Sequence, residues 1–236
     1  MSQSISKVSA GIAWKRGQAD VDGTIAPDDL TTAASMPFTK RAFDIVGALA
    51  LLLILAPVLA IVAALVRLSG PKVLFAHPRV GQGGRAFPCY KFRTMVPDAQ
   101  LVLERLLADR PELRIEWERD FKLKDDPRVT RIGKFLRKYS LDELPQFWNV
   151  LRGDMSLVGP RPIIADELKR YGRYAGCYLA TRPGVTGLWQ VSGRNDVDYD
   201  HRIRLDREYI ERRCVSLDLS IVFKTAWVVF RRKGAY

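Results

Sequence analysis

A long apolar run is the strongest feature in the pattern of hydrophobic and polar positions. From Ile45 to Val66 the chain carries no charged residue, and a helix of that length would cover the hydrocarbon core of a bilayer, which is about 30 Å thick. Pro57 lies at its midpoint, where the missing amide hydrogen bends a helix. Basic residues flank both ends, so the positive-inside rule gives no direction. The residues alone leave open a kinked single-pass anchor and a hairpin that enters and leaves by one leaflet.

Two short strands are predicted after the apolar run. They lie at Val73–Ala76 and Ala86–Phe92, joined by a turn rich in glycine. The glycines fit ordinary turn chemistry or a phosphate cradle, although no GxGxxG motif lies between a strand and a helix. Lys91 and Arg93 alternate with aromatic residues, which predicts both cations on one face of the second strand. That face is a phosphate site or a wet surface.

The rest of the pattern is mainly helical. Ala99–Leu123 is periodic and highly charged, and Asp126, followed by proline, predicts the N-cap of a further helix. This second helix has an apolar face and a basic face, which is either solvated or in contact with anionic headgroups. The apolar segment Ile221–Val229 is too short to span a bilayer, so it packs in the core or lies at the interface. The residues predicted on the two faces of the second helix are Val129, Ile132, Phe135, Leu136 and Tyr139 (apolar) and Arg128, Arg131, Lys134 and Lys138 (basic).

Composition and charge narrow the class of protein. Of 236 residues, 47% are apolar, which is enough for one substantial domain. Residues 1–36 contain too few large apolar side chains to offset the entropy of ordering, and they are predicted to form a disordered tail. The net charge of +12 favours anionic partners such as nucleic acid, phospholipid or phosphorylated metabolites. Because neither a helix-turn-helix nor zinc-finger spacing occurs, nucleic acid is the least favoured of the three.

Cysteine and histidine spacing argues against two kinds of site. The 3 cysteines are widely spaced, with no CxxC pair, which disfavours a disulfide framework and a thiolate zinc site and suits a reducing compartment. The 2 histidines lie far apart in the sequence, without metal-ligand spacing.

An acidic pair, Asp142 and Glu143, is the main candidate for chemistry. Ser140 and Glu143 fit an S-x-x-E capping box, and an alternative helix start has Asp142 as the cap with Pro145 in the first turn. In both cases the carboxylates lie at the positive end of a helix dipole near Arg137, which favours their ionised form. An ionised aspartate can bind Mg²⁺ or attack phosphorus.

Two basic loops are rigid by composition. Arg161 lies between Pro160 and Pro162, whose fixed dihedral angles suit a guanidinium that grips phosphate. A second loop, Thr181–Asn195, carries Arg182 and Arg194 among glycines. Both are also compatible with ordinary surface loops.

Taken together, these segments resemble the bacterial sugar transferases of exopolysaccharide synthesis, which are monotopic polyprenol-phosphate phosphoglycosyl transferases. The resemblance covers the chain from Pro37 to its end and rests on five motifs in the expected order: "KRAFDIVGALALLLILAPVLA", "CYKFRTM", "LRKYSLDELPQFWNVLRGDMSLVGPRP", "RPGVTGLWQVSGRN" and "LDREYI". It implies a predominantly α fold with a small β-hairpin, in a monotopic membrane protein with a re-entrant helix hairpin broken at Pro57 and interfacial amphipathic helices. Where many members have serine before this proline, the chain has Ala56.

The same resemblance implies three regions in the chain. They are a disordered tail at 1–36, a re-entrant membrane hairpin at 37–72 and a cytoplasmic catalytic domain at 73–236. Lys40, Arg41 and Asp44 match the family's pattern at the hairpin entrance. The implied location is the cytoplasmic face of the bacterial inner membrane.

The implied reaction is the first step of exopolysaccharide synthesis. A UDP-hexose, with galactose favoured over glucose, donates its sugar 1-phosphate to undecaprenyl phosphate with release of UMP, and Mg²⁺ is required. Asp142 matches the nucleophile that forms a covalent phosphosugar intermediate, and Glu143 matches a residue that helps to bind the metal together with Asp142. The matching cations are Lys91, Arg137 and Arg161 for phosphate oxygens and Arg194 for the nucleotide. Asp206 and Asp218 match acidic positions whose role is left open.

The implied partners are UDP-hexose, undecaprenyl phosphate and membrane phospholipids, with self-association possible and nucleic acid excluded. The alternative function is a non-catalytic membrane-bound adaptor that binds anionic lipid. In that case Asp142 and Glu143 would serve only to cap a helix.

Overall fold

The fold is mostly helical, with two small two-stranded sheets. The computed structural model describes residues 38–120, 123, 125–193 and 198–231, with the backbone alone at 119, 120 and 229–231. The predicted tail at residues 1–36 lies outside the described residues.

The apolar run forms a bent pair of helices, α1 (Phe38–Ile54) and α2 (Ala56–Leu68). The two axes meet at 64°, and Pro57 lies in the first turn of α2, where its missing amide hydrogen costs no helical hydrogen bond. The predicted break at Pro57 is therefore confirmed. Within the described chain no one helix has the length and apolar character to cross a bilayer, whereas the bent pair meets both criteria when its helices are taken together. A re-entrant course stays a prediction.

The predicted hairpin is present as β1 (Leu74–Val80) and β2 (Ala86–Phe92). The strands are antiparallel, with Leu74 opposite Phe92 and Val80 opposite Ala86. The second strand has its predicted bounds, while the first continues four residues past Ala76. A 3₁₀ turn at Gln82–Gly84 joins them, and Gly83 has a φ of 68°. That left-handed conformation explains the glycine, as the turn interpretation predicted.

The helical pattern predicted from Ala99 onward is confirmed as far as Asp120, where it forms two helices, α3 (Ala99–Asp109) and α4 (Pro111–Asp120). Arg110 adopts φ −132° and ψ 95°, because the ring of Pro111 disfavours the helical conformation in the residue before it.

The predicted start of the next helix is wrong. Helix α5 (Arg131–Lys138) begins at Arg131, and Thr130 is its N-cap, with Oγ1 accepting a hydrogen bond of 2.9 Å from the Gly133 amide. Asp126 instead binds the guanidinium of Arg128 at 2.6 to 3.1 Å. Arg128 is consequently 6% exposed and does not belong to a solvated basic face.

One side of helix α5 packs against the bent pair α1–α2. Leu136 is fully buried with Val62 and Val66 of α2. Phe135, predicted on the apolar face, is 52% exposed beside Tyr139, with the ring centroids 4.8 Å apart. The exposed surface of α5 is therefore both basic and aromatic.

The main core lies between α1, α6 and the second sheet. Helix α6 (Gln146–Arg152) is followed by β3 (Ser156–Val158), which pairs in parallel with β4 (Gly184–Thr186). The buried side chains here include Ala48, Val150 and Tyr209. The remaining helices are α7 (Ala165–Leu168), α8 (Ala175–Leu179), α9 (Leu188–Val191), α10 (Tyr199–Arg212) and α11 (Val215–Arg231), with a 3₁₀ segment at Lys169–Tyr174.

Helix α11 presents different faces to the core and to solvent. Ile221 is 1% exposed within the main core, which confirms core packing for that face. Leu219, Phe223 and Trp227 recur every four residues and are 42%, 72% and 56% exposed. Their contact with a bilayer interface stays a prediction.

A buried ion cluster joins the start of α1 to α11. The Lys40 ammonium lies 2.9 Å from both Asp44 Oδ1 and Asp218 Oδ2. Ser156 Oγ donates to Asp44 at 3.0 Å, and Tyr209 OH donates to Asp218 at 2.8 Å. We call Lys40, Asp44 and Asp218 the entrance latch, because they connect the first residues of the bent pair α1–α2 to the rest of the fold.

Candidate active site

The acidic pair lies on a 3₁₀ turn, Leu141–Glu143, between α5 and α6. We call this segment the dyad turn. Ser140 has φ 55° and ψ 22° and makes no side-chain cap bond, and Pro145 is the residue before α6. Both predicted helix starts are therefore wrong. The capping box does not form, because Glu143 reaches the strand residue Lys91 instead.

Helix α1 of the bent pair and the hairpin hold α6, the helix that follows the dyad turn. Arg41 of α1 donates to the carbonyls of Val150 and Leu151 at 2.8 and 3.0 Å, which satisfies two carbonyls at the end of α6. Asn149 accepts from the Tyr90 amide at 3.0 Å and donates to the Pro88 carbonyl at 2.7 Å. The position of the dyad turn is therefore set from two sides.

Lys91 and Glu143 form a close ion pair. The Lys91 Nζ lies 2.6 Å from Glu143 Oε1, and each side chain is 26% exposed. The pair is therefore reachable from solvent, unlike the entrance latch.

Asp142 is the more buried of the two acids, at 8% exposed. Burial raises the pKa of Asp142 above its usual value, and the charge of Glu143 raises it further, while Lys91 and Arg137 act in the opposite direction. The prediction that the surroundings favour the ionised form is wrong on balance, because burial and the adjacent acid outweigh the two cations. A carboxyl group whose pKa is shifted by burial and by neighbouring charges is common at reactive sites.

Arg137 joins this site, and Arg93 does not. The exposed Arg137 donates from Nε to Thr94 Oγ1 at 3.0 Å, and its charge acts on Asp142. Arg93 lies past the end of β2 and donates to the carbonyls of Lys72 and Val66 at 2.6 and 2.9 Å. The predicted shared face of Lys91 and Arg93 is wrong, since Arg93 caps the end of α2.

Arg161 belongs to a second basic group. Its guanidinium carbon lies 5.7 Å from the ring centroid of Trp189, and that of Arg202 lies 4.7 Å from the same ring. Burial first, and then the charge of Arg161, lower the pKa values of Arg79 and Arg202. We call Arg79, Arg161 and Arg202 the arginine cluster.

The loop that carries Arg161 is tightly held. Tyr178 OH donates to the Arg161 carbonyl at 3.3 Å, and Arg79 donates to the Pro162 carbonyl at 3.3 Å. A Cβ at Gly159 would lie 2.5 Å from the carbonyl oxygen of Arg182, so only glycine permits this approach of the two loops.

Cys89 on β2 lies between the two basic groups. Burial raises the pKa of its thiol, and the charges that act on it come from Lys91 and Glu143 at the dyad turn and from Arg79 and Arg161 in the arginine cluster. The face of β2 therefore connects the dyad turn to the arginine cluster.

Not every predicted site residue can be placed. Arg194 lies outside the described residues. Asp218 belongs to the entrance latch, and Asp206 lies next to the arginine cluster. Sequence reasoning missed Arg79 and Arg202; the spacing of Arg202 four residues before Asp206 on a helix was the one available signal.

The donor set is compatible with Mg²⁺. Among the residues that the structure describes, no group of three or more His, Cys, Asp or Glu side chains forms a metal cage. Mg²⁺ commonly needs only one or two carboxylates, with waters and substrate phosphates completing its shell. Asp142 and Glu143 fit that role, because the charge of Glu143 raises the pKa of Asp142 and a cation between them would relieve that repulsion.

Comparison with known proteins gives a match over most of the chain. Residues 35–232 match the family model described as bacterial sugar transferase. The chain is 55% identical over 202 residues to the undecaprenyl-phosphate galactose phosphotransferase of Salmonella typhimurium. The aligned residues are 86% of this chain and 42% of that protein. It is 48% identical over 198 residues to the exopolysaccharide production protein ExoY of Rhizobium meliloti, with coverage of 84% and 88%.

A third relative carries a different sugar in its name. The UDP-glucose:undecaprenyl-phosphate glucose-1-phosphate transferase of Escherichia coli is 39% identical over 207 residues, which are 84% of this chain and 41% of that protein. The chain thus spans less than half the length of the Salmonella and Escherichia proteins and most of the length of the Rhizobium protein.

Proposed function

The chain belongs to the bacterial sugar transferase family, and we propose that it transfers a hexose 1-phosphate from a UDP-sugar to undecaprenyl phosphate, releasing UMP. The observation that carries this proposal is the setting of Asp142, which is 8% exposed beside a second acid and two cations. The names of the Salmonella and Escherichia relatives support the lipid acceptor.

The reaction has two displacement steps at one phosphorus atom. First, an Asp142 carboxylate oxygen attacks the β-phosphorus of the donor; the new oxygen–phosphorus bond forms as the bond to the bridging oxygen breaks, and UMP leaves with that electron pair. Next, a phosphate oxygen of undecaprenyl phosphate attacks the same phosphorus. The bond to Asp142 breaks, and the free carboxylate is restored.

The cations around the dyad turn suit this chemistry. Lys91 and Arg137 would hold the phosphate oxygens on which charge spreads in the transition state. Bound Mg²⁺, held by Asp142 and Glu143, would supply further charge neutralisation for the diphosphate. Because Lys91 already contacts Glu143 at 2.6 Å, it also keeps that carboxylate beside Asp142.

We propose that the bent pair α1–α2 is a re-entrant membrane hairpin, with both ends at the cytoplasmic face of the bacterial inner membrane. Large apolar side chains are exposed along it, including Val46, Leu53 and Ile54 at 67%, 68% and 71%. The contact of Arg41 with the end of α6 would hold the dyad turn close to the headgroups, where the lipid phosphate lies. The basic surface of α5 and the exposed flank of α11 would lie at the same interface.

We favour galactose as the sugar and glucose next. The Salmonella relative and the UDP-galactose-lipid carrier transferase of Erwinia amylovora, which is 53% identical over 202 residues, have galactose in their names. The adaptor alternative loses its support, because the dyad turn does not cap a helix in the way that alternative required.

A trapping experiment tests the proposal. Purified enzyme in detergent is incubated with UDP-galactose or UDP-glucose in the absence of acceptor, and peptides are analysed by mass spectrometry. The peptide that contains Asp142 should be heavier by one hexose phosphate and should lose that mass when undecaprenyl phosphate is added. An unmodified peptide from a preparation that still makes lipid-linked sugar phosphate would overturn the covalent mechanism.

A further inference from the structure

Asp206 is a buried acid that the mechanism above does not use. It lies on α10, one turn after Arg202, and is 2% exposed. Its Oδ2 accepts a hydrogen bond of 2.9 Å from Tyr171 OH. Its Oδ1 is buried and has no hydrogen-bond partner among the described residues. A carboxylate oxygen in that state is costly unless a positive charge lies nearby.

Two members of the arginine cluster provide that positive charge. Arg161 and Arg202 are the cations whose charges favour the ionised form of Asp206. Both guanidinium groups lie against Trp189, which is 3% exposed. They also repel each other, since the charge of Arg161 lowers the pKa of Arg202. The fold therefore brings two like charges close together, and an anion near them offsets their mutual repulsion.

Asp206 is balanced between its two protonation states near neutral pH. Burial raises the pKa of Asp206 to about 7, although the hydrogen bond from Tyr171 and the charges of Arg161 and Arg202 oppose that rise. A small change in the charge near these arginines is enough to change its protonation.

We propose that Asp206 is an internal counter-ion of Arg161 and Arg202 that gives way to the donor's phosphate, so that donor binding is accompanied by proton uptake at Asp206. This inference rests on the proposed function, which supplies the UDP-sugar donor. Asp206 acts through the arginines and is a positioning residue.

The sign of the effect follows from electrostatics. A phosphate bound at Arg161 brings negative charge close to Asp206 and takes over the positive charge that kept it ionised, so the pKa of Asp206 rises on binding. By linkage, the donor then binds more tightly as pH falls through about 7. Each unit by which binding raises this pKa corresponds to about tenfold in affinity.

The phenols near Asp206 have raised pKa values, so they do not compete with it near neutral pH. Burial raises the pKa of Tyr199 to about 12 and those of the other phenols still higher. His77 on β1, which lies near Arg79, is a competing titratable group; burial and the charge of Arg79 lower its pKa. The groups that interact electrostatically with Asp206 are Arg161, Tyr171, Tyr178, Tyr199 and Arg202. Arg79 and Glu167 act in turn on Tyr178.

The test measures UDP-galactose binding by calorimetry at pH 6 and pH 8, in buffers with different ionisation enthalpies. Asp142→Asn protein without acceptor is used, so that no turnover occurs and Asp142 contributes no proton. The diphosphate diester of the donor has no proton that titrates near neutrality. We expect affinity about three- to tenfold higher at pH 6 than at pH 8, with proton uptake near pH 7.

Adding Asp206→Asn should abolish both the pH dependence and the uptake. The matched control is Asp218→Asn in the same background, because Asp218 is also a buried acid bonded to a tyrosine but belongs to the entrance latch. That control should keep both signals. Persistence of both signals in the Asp206→Asn protein would assign them to another group, such as His77, and would overturn the proposal.

Active enzyme gives a second, independent readout. The KM for UDP-galactose should fall as pH decreases through neutrality, and Tyr171→Phe should move that transition to higher pH, because the lost hydrogen bond had favoured the ionised form of Asp206. An unmoved transition would contradict the proposal. If the unmodified enzyme transfers no sugar phosphate from any UDP-sugar, the proposed function itself fails. That outcome is distinct from an active enzyme in which the pH dependence of KM does not change when Tyr171 is substituted.

Discussion

The entrance latch and the dyad turn with its partner Lys91 each combine one lysine with two acids, yet they differ in how completely the charges are paired. Lys40 lies 2.9 Å from both of its acids, and all three latch side chains are at most 9% exposed. Lys91 contacts Glu143 at 2.6 Å with both side chains 26% exposed, while the pKa of the neighbouring Asp142 is raised. The same residue types therefore form a buried, fully paired cluster in the entrance latch. At the dyad turn they form a partly exposed group whose charges are incompletely paired.

The physical reason is the number of partners that the fold provides. In the latch, Ser156 and Tyr209 also donate hydrogen bonds to the acids, and a buried charge pair in that state resists change because removing one partner strands the others. At the dyad turn the repulsion between two adjacent acids raises the free energy of ionising both. Binding of a cation, or of phosphorus at one carboxylate, would reduce that repulsion.

The largest expected effect concerns Asp142. Asp142→Asn should reduce transfer of radiolabelled sugar phosphate from UDP-sugar to undecaprenyl phosphate by on the order of 10³-fold or more, because the nucleophile is lost. Stability should change by less than about 1 kcal/mol, since the shape of the side chain is kept. Asp166→Asn, at an acid whose side chain is 85% exposed, is the control and should transfer normally. Near-normal transfer by the Asp142→Asn protein would show that the dyad turn, like the entrance latch, does not supply the nucleophile.

Lys40→Met should act on stability rather than on chemistry. It leaves two buried acids uncompensated, so the free energy of unfolding should fall by about 3 to 5 kcal/mol. Thermal unfolding in detergent measures this loss. Lys169→Met, at a lysine whose side chain is 80% exposed, should change stability by less than about 0.5 kcal/mol. Equal melting temperatures for the two variants would show that the latch is not a structural cluster.

The pH dependence of kcat should identify the coupling within the dyad turn. Asp142 must be ionised to attack, and its pKa is raised, so the rate should decline with falling pH at a higher pH than for an ordinary aspartate, by about tenfold per unit below the pKa. Glu143→Gln removes the adjacent charge and should move this decline to lower pH. Glu143→Asp, which keeps the charge, is the control; an identical decline in the Gln variant would mean that the two acids are not coupled.

The smallest expected effect is at Ser140, which precedes the dyad turn and has a left-handed backbone conformation with φ 55°. Ser140→Gly should stabilise the protein by about 0.5 to 1 kcal/mol, because relief of the left-handed conformation outweighs the entropy of the added glycine. Ser140→Ala should gain nothing, since alanine meets the same steric cost. Chemical denaturation of both variants measures the difference.

Local signals were enough to predict several parts of the fold and the site. The break before α2 followed from Pro57, and the second strand of the hairpin had its predicted bounds at Ala86–Phe92. The acidic pair was proposed as the candidate site from an unusual concentration of charge beside apolar residues, and the structure places Lys91 next to it. In each case a residue's own conformational limits or its immediate neighbours carried the information.

Local signals failed where two plausible partners competed. Thr130, and not the predicted Asp126, is the N-cap of α5. The conformational limits of Pro111 divide the predicted helical stretch into α3 and α4, a break that periodicity does not indicate. Glu143 matched a capping box but paired with Lys91 instead. Periodicity and spacing describe what a side chain is able to do, and they do not describe what the fold brings within its reach.

The sequence by itself determined the long apolar segment, its break and the acidic pair, because these depend on length, proline geometry and charge that are present in the chain itself. Only the tertiary structure decided that Lys40 is neutralised while Lys91 remains accessible, and that Asp206 lies near Arg161, 45 residues away in the chain. The reason is that the energy of a charge depends on burial and on partners brought from distant segments. Those are properties of the packed chain and not of any short stretch of it.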